Sequence, residues 1–184
     1  ASFSSIISFL TMYAAQIQMM ESASYFFLVY AIFLFISRLF SGRILDVKGD
    51  NIVFYPSLIS FAISLLMLSL AAHNFTFLLA GALAALGFGT MMSAGQAIAI
   101  KLTPKHRYGL ATSTFFVCLD SGVGLGPFFL GYLVPIVEYR GMYLTLAVVV
   151  GLSIILYYFL HGRKAAVKHA NIAEPKGSEE GFGV

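Results

Sequence analysis

The residue best placed to do chemistry is Asp120, in the apolar run LDSGVGLGPFFLGYL at positions 119–133. An ionised side chain at the centre of a bilayer costs at least ~2.5–3.5 kcal/mol on insertion scales, so this carboxylate is expected to face a cavity or a partner rather than lipid. It then reads either as a proton-coupling or substrate-binding group, or as a carboxylate hydrogen-bonded to a neighbouring helix for packing alone. Other polar groups sit deep in apolar sequence: Gln16, Gln18 and Gln96, with Tyr13, Tyr25 and Tyr30. Of these, Tyr13, Gln16, Tyr30 and Gln96 are the candidates for lining a central cavity. Buried amides serve equally as interhelical hydrogen-bonding groups, and Tyr25 equally marks a membrane interface.

A second set of charges stands in SRLFSGRILDVKGDN, positions 37–51. Gly42 allows close approach of helices, and Asp46 offers a short carboxylate able to cap the positive N-terminal end of a neighbouring helix. Arg43 and Lys48 can bind that carboxylate or a phospholipid headgroup, which together makes a latch that opens and closes. A plain basic loop with a glycine turn, required for orientation alone, accounts for the same residues. Gly122 and Gly126, four apart, form a small-xxx-small face, and Gly126-Pro127 frees a backbone carbonyl and invites a kink. Gly81, Gly87, Gly89 and Gly95 thin another run, with Gly89 the candidate gating position and dense static packing the competing reading.

Several chemistries are not supported. The four histidines have no ligand spacing backed by further His, Cys or carboxylates, so no metal is expected. There is no phosphate-cradling G-x-x-x-x-G-K-[ST] string and no catalytic set, so neither ATP hydrolysis nor enzyme activity is expected. No cofactor or nucleic-acid partner is expected either. Cys118 is the single cysteine, which excludes an internal disulfide.

The elements that must position these residues are apolar helices. The 184 residues are 59% hydrophobic and 10% charged, against about 25% charged in an ordinary soluble domain. A spanning helix needs roughly 20 mostly apolar residues. Six stretches meet or approach that: 1–20, 24–40, 52–72, 75–100, 108–137 and 139–160. They do not show the dyad alternation of a membrane β-barrel. Residues 163–184 turn charged and Gly-rich and cannot bury enough apolar surface to fold alone, so they read as a disordered cytoplasmic tail.

If all six stretches cross, alternate connections share a side. One side then holds ten of the eleven lysines and arginines: Arg38, Arg43 and Lys48, then Lys101, Lys105 and Arg107, then the four of the tail. Arg140 stands alone opposite. The positive-inside rule places the basic side, and both chain ends, in the cytoplasm.

The string at 37–51 resembles the loop signature of the major facilitator superfamily, roughly G-R-L-x-D-R-x-G-R, with Gly42, Arg43, Asp46, Lys48 and Gly49 on matching positions. Val47 and Asp50 replace usual basic residues. SYFFLVYAIFLFISRLFSGR is similar to the eighth helix of bacterial drug-efflux-type members, and KLTPKHRYGLATSTFF to their tenth-to-eleventh connection. The resemblance implies an all-α membrane fold: one six-helix half of a twelve-helix transporter, built of two inverted three-helix repeats. It further implies alternating access in the plasma membrane, an absent N-terminal six-helix half as partner, and a small-molecule substrate. Proton-coupled efflux of an amphipathic molecule, with Asp120 titrating, is the leading expectation. An importer or facilitator of a small metabolite, or a non-transporting assembly module, stands as the alternative.

Overall fold

Apolar residues in long unbroken runs can satisfy their backbone groups in lipid only as helices, and the computed structural model of the chain, which describes residues 2–48, 50–157 and 159, is helical apart from short connections at 17–19, 70–73 and 102–104. For 41–48, 50 and 51 the backbone alone is described. The helices are α1 (Ser2–Gln16), α2 (Met20–Lys48), α3 (Asp50–Ser69), α4 (Asn74–Lys101) and α5 (Tyr108–Tyr157), with one 3-10 turn at Lys105–Arg107. Four stretches, at 20–40, 52–69, 74–101 and 105–157, are long and apolar enough to cross a membrane. The 163–184 tail lies outside the described residues.

α5 has 50 residues, about 75 Å of helix, far more than the ~30 Å of a hydrocarbon core. It is not one rod. Glu138, with φ 58 and ψ 175, leaves helical geometry and divides α5 into arms 108–137 and 139–157. Residues 118–123 of the first arm and 150–157 of the second line one cavity, so the chain doubles back at Glu138.

The end of α1 differs from the expected span of 1–20. The Met19 amide donates to the Ala14 carbonyl at 2.8 Å and the Gln18 amide to Ala15 at 3.2 Å, while Gln18 has φ 58. This is a Schellman stop with glutamine in the left-handed position that glycine normally takes. A side chain there costs ~1 kcal/mol or more. Gln18→Gly is therefore expected to stabilise the purified protein by about 1 kcal/mol, read as a raised thermal midpoint in detergent. A lowered midpoint would mean that the glutamine side chain contributes more than its backbone strain removes.

The stretch 41–51, expected to interrupt the apolar sequence as a loop, is helical as far as Lys48 and again from Asp50. Nothing between Gly42 and Lys48 breaks a helix. Charge there marks where the chain meets water, and a helix is free to continue through that boundary.

α4 packs between α2 and α3. Serines on one face of α3 reach across to backbone carbonyls of α4: Ser64 Oγ donates to Ala80 at 2.7 Å and Ser60 Oγ to Leu83 at 3.1 Å. One turn further on, Gly87 meets the α3 backbone itself. A Cβ there would lie 2.6 Å from the Phe61 nitrogen and 2.8 Å from the Ser57 carbonyl oxygen. Small residues and cross-helix hydroxyls are what hold helices together where lipid removes the hydrophobic drive. Ser37 and Thr90, joined at 2.7 Å, tie α2 to the same helix.

The second arm of α5 packs against α1 and α3. Tyr13 of α1 and Tyr143 of the arm are fully buried, with ring centroids 5.2 Å apart, and Phe77 and Phe26 extend this aromatic core. Each buried hydroxyl has an acceptor, Tyr13 on the Leu68 carbonyl at 2.6 Å and Tyr143 on Ser5 at 3.3 Å. An unpaired hydroxyl at either place would cost ~1–3 kcal/mol.

Candidate functional site

Asp120 lies on the first arm of α5, twelve residues after its start at Tyr108, so about 18 Å along the helix axis. That puts it near the middle of the arm 108–137. The side chain is exposed on the bundle surface and has no polar partner among the described residues. The cavity behind the arm takes Leu119, Gly122 and Val123 from the adjacent face and leaves Asp120 outside. Within the bundle, then, the carboxylate finds neither the internal cavity nor the helix partner expected for it.

The same exposed face holds Ser113, Val117, Ser121, Gly124 and Phe128. Nothing lies within 4 Å of a Cβ placed on Gly124 or Gly131. The first arm therefore presents a smooth, partly polar surface to the outside, while the second is clasped into the core. Of the residues expected to shape this arm, Gly126 is buried, Pro127 is half-buried inside the helix and Gly122 borders the cavity.

The cavity behind the first arm has a volume of about 660 Å3 and is walled by Phe3, Phe54, Phe61, Phe88 and Tyr157 together with Met91 and Cys118. Phe3 stacks on Phe88 at 3.7 Å, and Phe54 on Tyr157 at 4.5 Å. Tyr30 is half-buried with its ring 6.1 Å from Phe3, and Gln96 is half-buried on α4.

Tyr13 and Gln16 do share a cavity, of about 510 Å3, but it lies at the end of the bundle where α1 and α3 stop and α5 breaks. Glu138 and Arg140 line it with them. Arg140 donates through Nη2 to the Ala71 carbonyl at 3.2 Å, and its own carbonyl accepts from Ser69 Oγ at 2.8 Å. A guanidinium beside the carbonyl end of α3 is also favoured by the helix dipole. This clasp, with the Tyr13–Leu68 bond, fixes the ends of α1, α3 and the second arm together. The sequence put Arg140 at the start of the 139–160 span with no contact assigned, and its position as the lone basic residue of its side was the one available signal. Asp120, Tyr30 and Gln96 lie outside this group.

Gly42, Arg43, Asp46 and Lys48 stand on the last turns of α2, and their side chains lie outside the described residues, as does Gly49 altogether. Gly89 packs on α2, where a Cβ would meet Leu34 at 2.5 Å. Among the described residues no group of three or more His, Cys, Asp or Glu is placed to hold a metal ion.

A bundle of apolar helices, held by small residues and internally bonded hydroxyls, with large apolar side chains exposed over its surface, is a multi-pass membrane protein. The sequence matches the profile of the Major Facilitator Superfamily over residues 1–182, and the chain belongs to that family of membrane transporters, not to a family of enzymes. It is similar to the Multidrug resistance protein MdtG of Dickeya zeae (strain Ech586), 31% identical over 166 residues, which is 86% of this chain and 40% of that protein. MdtG of Salmonella choleraesuis (strain SC-B67) is 31% identical over 165 residues, 86% of this chain and 41% of the relative. MdtG of Salmonella dublin is 31% identical over 168 residues, 88% of this chain and 41% of the relative. The chain thus spans about two fifths of the length of these curated relatives. No solved structure matches it.

Proposed function

We propose that this chain is one bundle of a proton-coupled exporter of small amphipathic molecules, working by alternating access against a second bundle. The bundle crosses the membrane six times, the two arms of α5 counting separately, as two inverted three-helix repeats at 1–72 and 75–160. Both chain ends lie in the cytoplasm. Similarity to proteins named for multidrug resistance supports export as the direction.

One observation carries the reading: Asp120, near the middle of its arm, is exposed and without a polar partner among the described residues. Left against acyl chains it would cost at least ~2.5–3.5 kcal/mol. A second bundle that covers this face encloses the carboxylate in a polar path between the two, where it exchanges protons as the path opens to one side and then the other. Gly42, Arg43, Asp46, Lys48 and Gly49 form the cytoplasmic latch, closing on a helix of the second bundle. Gly89 and the Gly122–Gly126–Pro127 face serve packing and gating. Tyr30 and Gln96 border the path, while Tyr13 and Gln16 belong to the clasp at the opposite end of the bundle.

The test is substrate flux in everted membrane vesicles carrying the transporter, measured under imposed pH gradients of both signs. Export coupled to protons gives accumulation when the vesicle interior is acid and reversal when the gradient is reversed. Flux that ignores the gradient would remove proton coupling and leave facilitated diffusion.

A further inference from the structure

A groove of about 430 Å3 opens on the bundle surface between α2 and α3, with Leu86 and Thr90 of α4 between them. Its apolar walls come from Ile36 and Phe40 of α2 and Ile52, Val53 and Pro56 of α3. Ile36, Phe40 and Ile52 are 38%, 57% and 57% exposed, so they form an open rim. Four hydroxyls also line it, and all are already engaged: Ser37 with Thr90, Ser57 on the Val53 carbonyl at 2.6 Å, and Ser60 on Leu83 at 3.1 Å. A hydrocarbon filling the groove therefore leaves every hydroxyl with a bond, and only the second O–H of the Ser37–Thr90 pair without an acceptor of its own among the described residues. The one released acceptor is the Ile52 carbonyl, because Pro56 has no N–H to give it. It lies at the groove's end nearest the start of α3, where interfacial water or a headgroup hydroxyl supplies the donor.

Two further features select the occupant. Along α3 the groove runs from Ile52 to Ser60, about 12 Å, close to the ~15 Å depth of one leaflet's hydrocarbon. The α3 start, where the groove ends, is also the basic end of the bundle. Arg43 and Lys48 stand on the last turns of α2, Lys101 closes α4, and Lys105 and Arg107 follow, opposed by Asp46 and Asp50. Lys101 is eleven residues on from Thr90, a spacing that keeps it on the groove's face of α4.

We propose that the groove holds one acyl chain of an anionic phospholipid, with the phosphate at the basic end of α2 and α4. This site stands on the groove and the charges alone, and does not depend on proton coupling or on the direction of transport. Its consequence is a bound lipid that wedges α2 and α3 apart on α4.

The experiment uses the full chain purified in mild detergent and native mass spectrometry with phosphatidylglycerol and phosphatidylcholine of identical chains. One phosphatidylglycerol per chain is expected to be retained, with a preference over phosphatidylcholine of about 5-fold or more, the order that one basic residue at the membrane surface confers. Ile52→Trp, which fills the rim, abolishes retention, and Lys101→Gln with Lys105→Gln removes the preference while leaving retention. A photoactivatable phosphatidylglycerol on the unaltered protein crosslinks to residues 36–40 and 52–60, which decides the matter should Ile52→Trp not fold. Equal retention of both lipids, or crosslinks spread over the bundle surface as for bulk lipid, would overturn the proposal.

Discussion

Gly87→Val is expected to disrupt the bundle, lowering stability by about 3 kcal/mol, the upper end of the usual cost of overpacking. The reason is what the new carbon would touch. At Gly87 it meets the nitrogen of Phe61 at 2.6 Å and the carbonyl oxygen of Ser57 at 2.8 Å, both backbone atoms of α3 that no rotamer change can move aside. α3 and α4 would have to separate, and the Ser60–Leu83 and Ser64–Ala80 bonds that flank the contact would lengthen with them. Gly124→Ala is the control, since nothing lies within 4 Å of its Cβ. There alanine is expected to leave the isolated bundle unchanged, or to stabilise it by ~0.5–1 kcal/mol through the stiffer helix. Thermal unfolding in detergent reads both variants. A Gly87→Val protein as stable as the parent would mean that the α3–α4 crossing is wider than described.

Asp120→Asn carries the largest functional effect. The amide keeps the shape and much of the hydrogen bonding of the carboxylate but holds no exchangeable charge, so it separates binding from coupling. Accumulation driven by a pH gradient is expected to fall by about 100-fold or more, the scale on which loss of a positioned proton-transferring side chain is felt elsewhere. Substrate exchange at equal concentrations on the two sides, which needs no net proton movement, should persist, and Asp120→Glu should recover part of the driven flux. Full gradient-driven accumulation by Asp120→Asn would remove the carboxylate from the coupling step. Loss of exchange together with accumulation would assign it to substrate binding instead.

What the sequence made legible was set by hydropathy. Composition alone excludes a soluble core, and the string at 37–51 with its flanking helices carries the family resemblance. Details that depend on which atoms meet were hidden. Gly81, Gly87, Gly89 and Gly95 look alike in sequence, yet only at Gly87 does the missing side chain face backbone of another helix, whereas Gly81 faces the ring of Phe26 and Gly95 that of Phe115. The stop after α1 was invisible because Gln18 takes the left-handed position without the glycine that signals it. The extent of α2 was masked by charge, which reports distance from the hydrocarbon and not the end of a helix.

The candidate site divides along the same line. That a carboxylate occurs mid-helix is a one-dimensional fact and could be read directly. That Asp120 sits on the outward face of its arm, while Leu119 and Gly122 look inward, depends on how the arm is rotated against α3 and α4. The apolar residues around it occur on every side of the helix and do not fix that rotation. Arg140 was legible as a charge and not as a clasp, since its partners, the Ala71 carbonyl and the Ser69 hydroxyl, lie about seventy positions away in the chain.

The reversal at Glu138 decides whether 105 and 138 lie on opposite sides of the membrane and whether Asp120 lies between them. Single cysteines placed at His73, Lys105 and Glu138 in a Cys118→Ser background can be treated in intact cells with a membrane-impermeant thiol reagent. The account predicts modification at 73 and 138 from outside, and at 105 only after the membrane is opened. Modification of 105 and 138 from the same side would mean that the first arm of α5 does not cross, and Asp120 would then have no path to serve.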